Sequence, residues 1–178
     1  MTSERGFTLA EVLVAAFLVA VGLAGLLASV PLGSFAVQEG KQVSTATFLA
    51  NQKLEEVRHM PWKSLPANDC LGVSTVPNAS PRVPAGATCT LGATTVAGGG
   101  VLPWFTDQIS GSASAIPGFP GYSRLVRVTD CGVSPCAGIT NPALRSVTVT
   151  VRYRASTGVA ISGGAMRSFV VTMMVAQR

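Results

Sequence analysis

The chain has 178 residues, a net charge of +5, 48% hydrophobic residues and 19 glycines, room for one domain of ordinary size beside a long helix. One histidine, His59, and four cysteines without a CxxC pair speak against a zinc site and suit an oxidising compartment. No GxSxG, no phosphate-binding glycine loop placed between strand and helix, and no close carboxylate pair other than Glu55-Glu56 occurs, so catalysis has little to work with.

In chain order, the first six residues, Met1 to Gly6, carry Glu4 and Arg5. Gly6-Phe7-Thr8-Leu9-Ala10-Glu11 then opens an apolar run from Val12 to Val30. From Phe7 to Val30 the roughly 24 residues hold one charge and reach about 36 Å at ~1.5 Å per residue. That length crosses a bilayer core of ~30 Å. A charge at the centre of a membrane helix costs about 2.5–3.5 kcal/mol on insertion scales, so an acid in such a segment asks for a partner. A plainer account places Glu11 among headgroups, favoured by the positive end of the helix dipole.

The hexapeptide resembles the class III signal of type IV pilins and pseudopilins. The resemblance implies that prepilin peptidase cuts after Gly6, that Phe7 becomes the N-methylated first residue, and that Glu11 helps the subunit dock into a growing filament. It also implies the partners: prepilin peptidase, other pilin or minor pilin subunits, and an inner-membrane pilus assembly platform. The precursor would cross the membrane once with its head outside the cytoplasm. Physically, cleavage leaves a cationic α-amino group that can neutralise a neighbouring subunit's carboxylate in a low-dielectric bundle. Desolvation offsets much of that attraction, so the pair sets register more than stability.

Pro31 and Gly33 interrupt the apolar run and predict a bend. Beyond them Ala36, Gly40, Val43, Thr47, Ala50, Leu54 and Val57 recur at steps of four and three, one face of an amphipathic helix. Gln38, Glu39, Lys41, Gln42, Asn51, Gln52, Glu55 and Glu56 lie mostly off that face. Ala46 to Arg58 with Met60-Pro61-Trp62, and Val21 to Leu26 earlier, resemble PilV-type minor pilins and minor pseudopilins. Pro61 is expected to end the helix, with Trp62 tucked beneath it. His59 in the last turn complements the dipole.

Residues 64–121 are rich in Gly, Pro, Ser, Ala and Thr, with Gly98-Gly99-Gly100 read as a turn. Thr88 to Leu91 and Ala93 to Val96 have weak strand character, and Trp104-Phe105 is expected in the core. Asp69, Asp107 and Asp130 are read as isolated loop acids. Ser123 to Asp130, Leu144 to Arg154 and Ser168 to Ala176 read as strands. In the second, Val147, Val149, Val151 and Tyr153 face one side; in the third, Phe169, Val171, Met173 and Val175 do.

The predicted fold class is therefore α+β, a long N-terminal helix packed on a C-terminal antiparallel β-meander. The division expected is leader 1–6, transmembrane helix 7–30, amphipathic helix 31–60 and β-rich head 61–178. Cys131 is read with Cys136 and Cys70 with Cys89, although four cysteines permit three pairings and the sequence does not choose. From Pro61 onward Lys63 and eight arginines face three aspartates, but long domains cross membranes largely regardless of charge.

Arg124, Arg127, Arg152 and Arg154 are the candidates for a basic patch toward DNA or an acidic surface. Without an aromatic stacking platform a solvated sheet face is the plainer reading, and a nucleic-acid partner is the lesser alternative. No catalytic residue, cofactor or metal is expected. The functional expectation is a minor pilin-like subunit, with pilus assembly and cell adhesion as its setting. The alternatives are a minor pseudopilin of a type II secretion system, a membrane-anchored DNA- or surface-binding module, and an anchored domain that is never processed.

Overall fold

The computed structural model describes residues 8–63, 68–77, 79–105, 116–155 and 164–178. Its first element, α1 (Leu9–Arg58), is a single helix of 50 residues, about 75 Å long at ~1.5 Å per residue. The helix is continuous through Pro31 and Gly33, so the proline removes one donor from the ladder without ending it. It stops at His59, whose N–H bonds Glu56 and Val57 carbonyls, two residues before Pro61.

Three strands follow a loop-rich stretch: β3 (Tyr122–Asp130), β4 (Leu144–Arg154) and β5 (Met166–Ala176), after a small hairpin of β1 (Thr88–Leu91) and β2 (Thr94–Ala97). The three are antiparallel in the order β3-β4-β5, the expected meander. Val126 pairs with Val149, and Val149 with Val171, so the apolar alternation of all three strands falls on one face. That face lies against α1, where Val126, Val128, Val147, Val149, Val151 and Val175 are buried. Phe169, Val171 and Met173 on the edge strand are only half-buried. The architecture is α+β, a long N-terminal helix on an antiparallel sheet.

The helix stripe needs correction. Ala50, Leu54 and Val57 are buried, but Ala36, Gly40 and Val43 are exposed, and the packed face is Ala46, Leu49, Ala50, Lys53, Leu54 and Val57. The reason is reach. An 11-residue strand extends about 36 Å at ~3.3 Å per residue, under half the helix length. Among the described residues, the side-chain bonds from the helix to the sheet at this end are those of Glu39, which pairs with Arg167 at 3.3 Å, and Gln42, whose Nε2 donates to the Arg154 carbonyl. Amphipathic spacing ahead of that point has no sheet to cover.

Between α1 and the meander, irregular chain completes the core. Trp62 is buried as expected, together with Leu71, Val83, Leu102 and Phe105, while Trp104 is half-buried and donates from Nε1 to the Cys70 carbonyl. Disulfides join Cys70 to Cys89 and Cys131 to Cys136. The first ties the segment after the helix to β1; the second closes the loop between β3 and β4.

Two charged residues, Asp69 and Lys53, are buried and structural. Asp69 is not an isolated loop acid: it is buried and forms a bidentate ion pair with buried Arg145 at 2.6 and 2.8 Å. The guanidinium lies 4.3 Å from the Trp62 ring centroid. Lys53 is 3% exposed, donating to Glu56 and to the Trp104 carbonyl, both at 2.8 Å. Its ammonium sits 5.2 Å from the Phe105 ring centroid. The Lys53–Glu56 pair has the i,i+3 spacing of a helix, but the Asp69–Arg145 pair and the bond to the Trp104 carbonyl have no local signature, because those partners are 76 and 51 positions away in the chain.

Candidate functional site

The N-terminal end of α1 is built by a local device. Thr8 caps the helix from an extended conformation, its hydroxyl accepting the Glu11 N–H at 3.3 Å. Thr8-x-x-Glu11 has the spacing of a capping box, a signal legible in the sequence. Glu11 therefore occupies the third helical position, where a carboxylate faces the positive end of the helix dipole. Its side chain is exposed and makes no hydrogen bond or ion pair within the described residues. Gly6 and Phe7, the residues of the expected cleavage and methylation, lie outside the described residues.

From Leu9 to Leu27 the helix is long and apolar enough to cross a membrane, and none of this stretch is covered by the rest of the chain. Leu9 is 80% exposed and Phe17 68%. Beside Glu11 the short side chains of Ala15, Ala16 and Ala20 leave a shallow apolar furrow that runs to Leu23. A neighbouring helix can approach such a surface closely, since small residues bring backbones together in an apolar medium. The surface pairs an acid with a close-packing stripe on a segment that has no partner among the described residues.

The expected arginine quartet is not one patch. Arg124 shares the inner sheet face with Val151, is 7% exposed, and donates to the Leu49 carbonyl at 2.9 Å. It pins β3 to α1 and is unavailable to a ligand. Strand pleating explains the error: Arg124 is three residues from Arg127, so the two point to opposite faces. Arg127, Arg152 and Arg154 are exposed on the outer side. Arg127 pairs with Thr148, which places Arg152 about 13 Å farther along β4 at ~3.3 Å per residue. No group of three or more His, Cys, Asp or Glu side chains converges on a metal position among the described residues.

Residues 1–27 match the family model of the prokaryotic N-terminal methylation motif. No curated protein and no solved structure matches the chain. The methylation motif takes in the exposed apolar part of α1 and the residues before it, ending where the membrane-length stretch ends. A prepilin-type N-terminus thus stands on a helix whose other end carries an antiparallel sheet, an arrangement consistent with the type IV pilin fold. The motif supports a type IV pilin- or pseudopilin-like subunit and a membrane-anchored precursor, and it implies processing by prepilin peptidase.

Proposed function

We propose that this chain is a minor pilin-like structural subunit, cut by prepilin peptidase and assembled into, or priming, a type IV pilus. The observation that carries the proposal is a coincidence on one helix. The methylation motif covers the stretch that is apolar and bare, while the far end of that helix anchors the folded head. A subunit made this way has an anchor to store in the membrane and to pack against like helices after extraction. The head, residues 61–178, is carried outward on the amphipathic part of the helix.

In this reading the peptidase cuts after Gly6, and Phe7 becomes the N-methylated first residue. Methylation keeps the α-amino charge, and that cation meets Glu11 of a neighbouring subunit in a medium of low dielectric. Leader 1–6 is lost, so Thr8 remains as the helix cap one residue after the new terminus. The subunit's partners are other pilin subunits and an inner-membrane assembly platform, and it performs no catalysis of its own.

Mass spectrometry of the mature N-terminus tests this directly. The expected peptide begins with Phe7 and carries one added methyl group in cells that contain prepilin peptidase, and begins upstream of Gly6 in cells lacking it. A mature chain that still begins at Met1 or Thr2 in peptidase-positive cells refutes the proposal.

A further inference from the structure

On the head, away from α1, a groove of about 540 Å³ runs between the outer edge of β3, the segment 73–75, the glycine turn 98–100 and the loop closed by Cys131 and Cys136. Its volume lies within the ~300–1,000 Å³ usual for small-ligand sites. The walls are fixed by backbone bonds. Ser74 N–H donates to the Val128 carbonyl at 2.8 Å, and the Ser74 hydroxyl accepts from Val128 N–H at 3.1 Å. Val73 and Arg82 exchange both backbone hydrogen bonds, at 2.8 and 2.9 Å.

Two guanidinium groups line this groove. Arg82 is held by one atom only, Nε donating to the Gly99 carbonyl at 2.7 Å, and Gly99 supplies that carbonyl from a left-handed φ of 76°. The two terminal nitrogens of Arg82 have no protein partner among the described residues, and neither does any guanidinium nitrogen of Arg127. An arginine pre-oriented through Nε presents its two outer N–H donors as a fork suited to a carboxylate. Asp130 also lines the groove, one oxygen engaged by Gly132 N–H at 2.8 Å. The same wall holds the Ser134 side chain and an apolar surface of Pro84 and Val133, the latter 86% exposed.

These features select among ligands. A groove this large is oversized for one inorganic anion. No aromatic residue lines the groove to stack a base, which speaks against a nucleic-acid strand. A carboxylated sugar fits each feature: its carboxylate takes the arginine fork, its hydroxyls donate to Asp130 and exchange with Ser134, and its C–H face lies on Val133 and Pro84. We infer that this groove is a binding site for acidic oligosaccharides of the uronate type. The inference stands on the groove alone and does not depend on assembly into a filament.

Calorimetric titration of the full-length protein in detergent micelles tests it, with trigalacturonate as the ligand and maltotriose, triglutamate and inorganic phosphate as comparisons at one ionic strength. Trigalacturonate is expected to bind at least about tenfold more tightly than each of the others. Arg127→Gln, an exposed substitution that removes no internal bond, should weaken it about tenfold or more. Arg152→Gln, the same change outside the groove, should leave it within about twofold. Equal affinity for maltotriose or triglutamate, tighter binding of phosphate, or equal losses in the two arginine variants each overturn the inference.

Discussion

The most demanding test of the fold is the buried pair between Asp69 and Arg145. Their side chains are 2% and 7% exposed and meet through two bonds of 2.6 and 2.8 Å. Asp69 also accepts the Leu71 and Gly72 N–H groups, while Arg145 donates to the Gly72 carbonyl. Arg145→Met leaves a carboxylate in the core with only two backbone donors. Asp69→Asn keeps the acceptor for those donors and strands the guanidinium over Trp62. Removing one member of such a pair costs about 3–5 kcal/mol, against a total stability of roughly 5–15 kcal/mol.

For a chain of 178 residues, that loss lowers the unfolding midpoint by about 6–20 °C, at ~2–4 °C per kcal/mol. The double variant removes both charges together, so its cost should fall short of the sum by about 2–3 kcal/mol. Thermal unfolding of the full-length protein in detergent, followed by near-ultraviolet circular dichroism over Trp62 and Trp104, gives all four corners of the cycle. Losses that simply add, or a single variant within about 0.5 kcal/mol of the parent, would show that the pair is not desolvated and would refute the reasoning.

Other consequences follow from the same packing and from the proposed assembly. Glu11→Gln should reduce filament number severalfold in a pilus count by electron microscopy while leaving head unfolding unchanged, since Glu11 contacts nothing in the head; unchanged filament number removes its assembly role. Replacing Cys70 and Cys89 together by serine frees a loop with a sequence separation of 19 and should cost about 3 kcal/mol in denaturant unfolding. Lys53→Met leaves the Trp104 carbonyl without its donor and should cost about 1–3 kcal/mol in the same assay. Gly72 adopts φ 66°, and an added Cβ would stand 2.6 Å from the Arg82 carbonyl oxygen. Gly72→Ala should therefore lower the unfolding midpoint and disturb the wall of the groove, seen as loss of trigalacturonate binding.

Local pattern in the sequence determined the membrane-length apolar run, the position of Glu11, the helix end shortly before Pro61 and the three strands, because each depends on neighbours a few residues apart. Alternation placed Val147, Val149 and Val151 on one face, and the antiparallel meander followed from strand order and short connections. Tertiary structure alone decided how much of the helix the sheet can reach, which moved the packed stripe from Ala36, Gly40 and Val43 to Ala46, Leu49 and Lys53. It decided the fate of the charges too. Arg124 and Arg145 were drawn inward to a helix carbonyl and to Asp69, while Arg82 and Arg127, 45 positions apart in the chain, were brought to one groove. A charge's surroundings are set by whatever chain folds over it, and residue spacing carries no record of partners that arrive from distant segments.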